Sequence, residues 1–511
     1  MASHLGQTAA ATAADAATAA AACAAVVAAV PRVRISREEF WAMEGPVIGT
    51  HDGRYHLDEI LACTMLLSLK EFKNSRICRS RDNNDLEKCS ILVDVGGEYN
   101  LKNNHFDHHQ RSFQQYFDFD RFASSGSQRG WNGNGDRDGS QNAEESCKRM
   151  KRKPVTKLSS AGLIFLHYGE RILKERYGVE DPESVRLLMY GVYVHLLEAV
   201  DANDNGVSIC PSSAPLYKET TTLASRIGAL YPSVDRGEVD ADVMDAASAW
   251  EYQLYALEEA WKQEEKGAAA FAAAAAAKGQ GWIPPCAFLS IPIIGGDAET
   301  LWGFKKGLKM ADEAFRDTVL YLRDTWLPSR FTLKDALLDN KAEKKFKDEV
   351  IELNHWMPIE DHLYDLEREL DMVDCFKFVL YPTTKRDEGK NSITTWSVRC
   401  IPEERDKFKS RLPLKKEWRG MRDLELGQAV LQQQQQQQKA VAAASSSTIN
   451  NNESSGGGDA GLTPDDFVFC HATGFLGIAK TRAAAYEMIR QTVEEWRKGE
   501  ETAAAATTSS A

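Results

Sequence analysis

The chain has 511 residues, 43% hydrophobic and 27% charged, with a formal net charge of −13. Those proportions belong to a globular protein of two or three domains, and the acidic balance excludes a generally basic, nucleic-acid-coating surface while leaving room for a local basic groove. Ten scattered cysteines with no CxxC pair exclude a zinc ribbon and any obvious disulfide framework, which suits a reducing compartment inside the cell.

In chain order, residues 1–44 are expected to be a disordered, alanine-rich leader. Asp15 is the one acid in its first 30 residues and no Lys or Arg precedes Arg32, so it carries neither a transit peptide's early arginines nor a secretory signal's charged start. It is not diagnostic of a compartment. Residues 46–50 read as a short buried strand, and 58–70 as an apolar helix. Residues 91–95, ILVDV, form a β-branched run ending in Gly96-Gly97 and read as a buried parallel strand. Helices are predicted at 159–177 and 182–200. No run of about 18 strongly apolar residues offers a membrane span.

Strands alternating with helices imply an α/β layer with a mostly parallel sheet over 45–225, interrupted by a Ser/Gly/Asn-rich insertion at about 124–153. A helical connecting region is predicted at 226–345, with an alanine-rich insertion at about 267–278. From Phe376 the pattern becomes FKFVLYP, ITTWSVRCIP and FVFCHATGF, followed by a helix at 481–498. This predicts a C-terminal α+β domain at 346–500, with a Gln/Ser-rich insertion at about 428–461 and a disordered tail at 501–511.

Ligands of open α/β sheets sit beyond the carboxyl ends of the strands. Polar residues gather at four such places: His51, Asp52, His56, Asp58 and Glu59 in GTHDGRYHLDE; Asp94 in VDVGG; His105, Asp107, His108 and His109 in HFDHH; and Glu198, Asp201 and Asp204 in EAVDANDNG. Each residue alone fits a cap, a turn or a hydrogen-bonded structural role. Together they point to cations, because unpaired acids at buried strand ends are costly. Carboxylate and imidazole without thiolate suit Mn²⁺ or Mg²⁺, and a shared carboxylate can bridge two ions about 3.5–4 Å apart.

These segments resemble the DHH phosphoesterase superfamily, which includes the RecJ exonucleases and family II pyrophosphatases. They resemble more closely the Myg exonuclease family, the melanocyte-proliferating-gene proteins. The matching stretches are IGTHDGRYHLDEILAC, VDVGGEYN, FDHHQRSF, KLSSAGLIFLHYG, EAVDANDNGVS, EDHLYDLE, SRLPLKKEWRGMRD and FCHATGFLGIAKTR, which run from Val47 to about Arg490. The resemblance implies a DHH-type phosphoesterase domain with a helical middle and a C-terminal α+β domain. It also implies a 3′→5′ exonuclease of single-stranded RNA, or possibly DNA, acting in nucleus and mitochondrion. By the same resemblance, His51 and His56 hold one of two divalent cations and Asp94 bridges. Asp58, His108 and Asp201 hold the second, with Asp204 the alternative to Asp201. His109 and Arg111 face the scissile phosphate, and Asp107 supports the cluster. The superfamily's first motif usually has Asp where this chain has His56, with one residue less between it and His51.

In the C-terminal domain, Arg411, Lys415, Lys416, Trp418, Arg419 and Arg422 interleave bases with an aromatic, as single-strand grooves do. His471, Thr473, Gly474, Lys480, Thr481 and Arg482 precede or open a helix whose amides could bind phosphate. The bland reading is that Trp418 is core and the charges are a solvated face. Two further functions fit the same residues: a small-molecule phosphoesterase, such as a pyrophosphatase or oligonucleotide hydrolase, and a metal-stabilised scaffold without turnover.

Overall fold

The computed structural model describes residues 35–123, 155–209, 217–232, 288, 291–343, 349–386, 392–405, 408–432 and 461–508. The insertions expected at 124–153 and 267–278, and most of the one at 428–461, lie outside these residues. The described residues divide into two compact units, the first running to Arg323 and the second beginning at Asp324. The described part of the expected helical middle is shared between them.

The first unit is built on six strands: β1 (Val47–Thr50), β2 (Arg76–Arg79), β3 (Ile91–Val93), β4 (Tyr99–Asn100), β5 (His105–Phe106) and β6 (Ile293–Ile294). Their order is β4-β5-β3-β1-β2-β6. All neighbours are parallel except β4 and β5, where Tyr99 pairs with Phe106 in an antiparallel register. The central strands β1, β2 and β3 are buried at every position, as expected for a sheet covered on both faces.

Helix α1 (Leu57–Leu67) follows β1 and is buried along its whole length, consistent with a sequence, LDEILACTMLL, that is apolar almost all round. It packs against α2 (Ser160–Tyr177) and against α5 (Ala298–Tyr321). Between them, α3 (Pro182–Val192) and α4 (Glu198–Asp204) are joined by a π-turn at Tyr193–Leu197, so the single helix expected at 182–200 is interrupted. Such a turn rotates the downstream residues relative to a regular helix and is frequent at functional sites.

In the second unit, β7 (Val350–Glu352), β8 (Phe378–Arg386), β9 (Ser392–Cys400), β10 (Phe467–Cys470) and β11 (Leu476–Ala479) form a sheet of order β10-β11-β9-β8-β7. It is antiparallel except for β7 with β8. Side chains alternate along β8: Phe378 and Leu380 face one core with Met488 and Val493 of α7 (Arg482–Thr508), while Val379 and Tyr381 face another with Leu363 and Leu366 of α6 (Glu360–Glu369).

Two expectations at the ends are corrected. The leader expected to be disordered includes a helix at Arg37–Ala42, because Ser36 and Glu39 form a reciprocal capping box and Phe40 is buried. The tail from 501 continues α7 to Thr508, through alanines that favour helix. No described helix is long and apolar enough to cross a membrane.

The fold contains a fully buried ion pair, in which Arg176 of α2 donates two hydrogen bonds to Asp312 of α5 at 2.6 and 3.0 Å. Removing one partner leaves an uncompensated buried charge. We therefore expect Asp312→Ala to destabilise the first unit by about 3–5 kcal/mol in chemical denaturation, with Arg176→Met/Asp312→Leu recovering much of the loss.

Candidate metal centre

Parallel pairing of β1, β3 and β5 places their carboxyl ends side by side, and the polar residues of three distant sequence segments meet there. Asp58 and Glu59 occupy the first turn of α1, where the helix dipole favours acids. Asp94, one residue past β3, adopts a left-handed φ of 57°, a conformation costing about 1–3 kcal/mol that non-glycine residues keep at functional sites. Its amide donates to the Phe106 carbonyl, which ties the end of β3 to the DHH segment.

Asp94 sits between two imidazoles. His51 Nε2 is 3.3 Å from Asp94 Oδ2, and His108 Nε2 is 3.3 Å from Asp94 Oδ1. Glu59 Oε1 lies 3.5 Å from the same His51 nitrogen, and Asp204 Oδ2 lies 3.1 Å from His108 Nε2. Potential ligand atoms form three overlapping groups, each within a mutual 4.8 Å: His51, His56, Glu59 and Asp94; Asp94, His108 and His109; and His56, Asp58 and Asp204. Asp94 is common to two of them.

Burial raises the electrostatic cost of this arrangement. It lowers the pKa of His108, but Asp204 and Asp94 outweigh it and lift the group to about 10. Burial likewise opposes the charge on Asp94, yet His108 and His51 hold it below the usual carboxylate range. His51 is raised, since Asp94 and Glu59 outweigh its desolvation. Glu59 is pushed up to about 8 by burial, with the neighbouring Asp94 adding repulsion. Asp58 is 1% exposed and is also raised by burial and by the nearby Asp94 and Asp204.

Among the described residues, neither carboxylate oxygen of Asp58 has a hydrogen-bond partner, and His108 Nε2, though close to two acids, has no aligned hydrogen bond. Orphaned buried oxygens beside other acids are what a divalent cation would satisfy, so these residues fit the expected metal. Thiolates are absent from all three groups, which keeps the donor set hard to intermediate.

The sequence-derived ligands His51, His56, Asp58, Asp94 and His108 are thus brought together. Asp201 is not with them. It is fully buried and accepts hydrogen bonds from the Ser159 amide (2.9 Å), the Ser159 hydroxyl (2.7 Å) and the Tyr193 hydroxyl (2.9 Å). A Cβ on Gly162 would stand 2.5 Å from its Oδ1, so α2 packs tightly on it. Asp204, one turn along the same helix, occupies the place expected for Asp201. Both lie on one helix face at i and i+3, so spacing alone does not separate them.

Asp107 touches the cluster through His109 rather than through His108. It accepts from His109 Nδ1 at 2.8 Å, from the His109 amide at 3.0 Å and from the Gly97 amide at 2.6 Å. It therefore aims His109, whose side chain remains 63% exposed. Arg111 is exposed, and no ion pair engages it among the described residues. His105 lies outside the cluster, bound to Glu98 at 2.9 Å. Glu59 was visible in the loop but not singled out as a ligand, and its burial at the first turn is what brings it in.

In the second unit the residues read as substrate contacts divide sharply. Arg411 is 4% exposed and clamped to Glu367 by hydrogen bonds of 2.7 and 2.8 Å, and Trp418 is 0% exposed in the core. Both are corrected to structural residues. Arg419 donates Nε to the Leu414 carbonyl at 2.9 Å and leaves no room for a Cβ at Gly474, whose φ is +76°. Arg422 lies over the Phe469 ring at 4.8 Å. His471 Nδ1 contacts Thr473 Oγ1 at 3.0 Å, Lys480 is exposed, and Arg482 is paired with Glu352 at 2.6 Å.

The two aspartates of α4 should separate experimentally. Asp201→Ala should lower the melting temperature with or without metal, whereas Asp204→Ala should melt near wild type in chelator but lose most of the stabilisation added by Mn²⁺. Asp58→Asn should raise the melting temperature of the metal-free chain near pH 8. Burial raises the pKa of both Asp58 and Glu59 in the folded state, that of Glu59 to about 8, so protons bound by the folded chain are released at lower pH by the unfolded one and metal-free stability falls as pH rises from about 4.5 to 8. Calorimetry across that range checks the sign.

A family model described as "Uncharacterised protein family (UPF0160)", and named for MYG1 exonucleases, matches residues 47–277 and 295–493. The chain is 30% identical over 456 residues to the "MYG1 exonuclease" of Rattus norvegicus, covering 89% of this chain and 86% of that protein. It is 29% identical over 470 residues to the Homo sapiens "MYG1 exonuclease", with coverages of 91% and 90%. The "MYG1 protein" of Dictyostelium discoideum is 28% identical over 454 residues, with coverages of 89% and 98%. No solved structure matches. Since the family match takes in both units and every segment that contributes to the metal cluster, the chain belongs to the MYG1 exonuclease family.

Proposed function

We propose that the chain is a metal-dependent exonuclease of the DHH phosphoesterase type, which shortens single-stranded RNA from its 3′ end by a two-metal mechanism. The observation carrying this reading is Asp94 shared between His51 and His108 beside the carboxylate of Asp58, which has no hydrogen-bond partner among the described residues. The MYG1 exonucleases among its relatives support a nucleic-acid substrate.

His51, His56, Glu59 and Asp94 would hold one cation, and Asp58, His108 and Asp204, with Asp94 shared, a second. Mn²⁺ or Mg²⁺ there would supply Lewis-acid stabilisation of phosphate charge and lower the pKa of water. The protein's own contribution is orientation. His51 Nδ1 is bound to the Asp52 carbonyl at 2.9 Å, which leaves Nε2 to face the acids. Asp107 fixes Nδ1 of His109 and leaves its other nitrogen to donate to a phosphate oxygen. The same hydrogen bond to Asp107 outweighs burial and raises the pKa of His109, which suits a donor to an anion. Arg111, exposed in the same segment, adds a second cationic contact to the phosphate.

The small-molecule reading draws support from the burial of Arg411 and Trp418, which removes two residues from any substrate groove. A Mn²⁺ assay on 5′-labelled single-stranded RNA and DNA decides between them. A ladder of progressively shorter labelled products is expected with wild type and none with Asp94→Asn. Cleavage confined to dinucleotides or pyrophosphate would overturn the exonuclease reading. His109→Ala should lower kcat by about 10²–10³, as loss of one transition-state donor does. Asp107→Asn should cost about 10–100-fold, as loss of an orienting partner does.

A further inference from the structure

With Trp418 in the core, the aromatic that reaches solvent in this region comes from elsewhere. Residues 412–419 and the far end of α7 enclose an open groove of about 540 Å³, lined by Pro413, Lys415, Lys416, Arg419, Glu495 and Trp496 among others. Its size is within the roughly 300–1,000 Å³ usual for ligand sites. Trp496 is half-buried, and Lys377 Nζ lies 5.7 Å from its ring centroid.

The charges around the indole are unevenly satisfied. Lys415 is paired with Glu495 at 2.6 Å, so those two cancel at the groove wall. Lys416 is exposed, and no ion pair engages it among the described residues. Arg419 spends Nε on the Leu414 carbonyl, while its terminal nitrogens make no hydrogen bond among the described residues. Arg419 also packs against Gly474, at 2.7 Å from where a Cβ would stand, so this groove and the His471–Gly474 loop share a wall. An indole flanked by two cations available for phosphate is the combination that grips single strands: bases stack on the ring and the backbone follows the charge.

We propose that this groove binds a stretch of single-stranded nucleic acid, with a base stacked on Trp496 and phosphates met by Lys416 and Arg419. The proposal rests on the nuclease reading above and assigns the second unit a strand-gripping surface different from the Trp418-centred one that the sequence suggested. Neither Glu495, already paired, nor the exposed Glu500 at the rim reverses the local charge.

The test is fluorescence anisotropy of a labelled single-stranded RNA oligonucleotide with the full chain, in an Asp94→Asn background that prevents hydrolysis. Trp496→Ala should weaken binding about fivefold or more, the effect of losing one base-stacking contact, and Trp496→Phe should restore most of it. Lys416→Glu should weaken binding and lower the slope of log affinity against log salt by about one or more. Lys416 is exposed, so this variant tests the groove even if Trp496→Ala fails to fold. If both variants bind as tightly as their parent, the groove proposal falls. Wild type that still shortens RNA would then leave the nuclease reading standing. If wild type neither shortens nor binds any single strand, both fall together.

Discussion

Asp58, Glu59, Asp94 and Asp204 converge at the carboxyl edge of the sheet, where Glu59 accepts from the His56 amide at 2.8 and 2.9 Å but Asp58 finds no hydrogen-bond partner among the described residues. Two imidazoles, His51 and His108, offset part of their charge. Asp58 has no donor among the described residues, and its carboxyl is driven toward the protonated form by burial and by its neighbours. Such a site is unstable by construction in the absence of cations, and the surrounding fold is what holds it together. The buried helix α1, the left-handed turn at Asp94 and the packing of α2 on Asp201 keep the ligands in place against their own repulsion. Were cations held there as proposed, metal-free stability would be traded for affinity, and that exchange would link the fold of the first unit to its chemistry.

Around the cluster, residues adjacent in sequence divide into candidate ligands and the groups that orient them. Within Asp107-His108-His109, His108 faces Asp94 and Asp204, while Asp107 turns toward His109 and the Gly97 amide. On α4, Asp204 approaches His108 and Asp201 locks the helix to Ser159 and Tyr193. The π-turn at Tyr193–Leu197 lies immediately before this helix and sets the rotation at which its two acids emerge. The same separation recurs in the second unit. Arg411 and Trp418 build the core, and Lys416, Arg419 and Trp496 remain at the surface.

Much of the first unit was legible from local pattern. Short apolar β-branched runs interleaved with helices require a mostly parallel sheet, and polar residues clustered after those runs require a site at its carboxyl edge. In the second unit, the strands read in FKFVLYP and ITTWSVRCIP correspond to β8 (Phe378–Arg386) and β9 (Ser392–Cys400). Burial of a tryptophan among lysines and arginines was not legible, because a basic amphipathic segment has the same composition whether its aromatic points inward or outward. Nor was β2, RICR, whose two arginines mask a strand buried at every position.

By itself, the sequence determined the chemistry available: carboxylates and imidazoles without thiolates, placed after strands, in segments that share a family's motifs. Those are properties of residue type and local spacing, which the chain carries before it folds. Tertiary structure alone decided which of these groups meet. Choosing Asp204 over Asp201, adding Glu59, setting Asp107 to aim His109 and leaving Trp496 half-buried while Trp418 is fully buried all depend on helix rotation and burial. Those are set by packing between elements far apart along the chain.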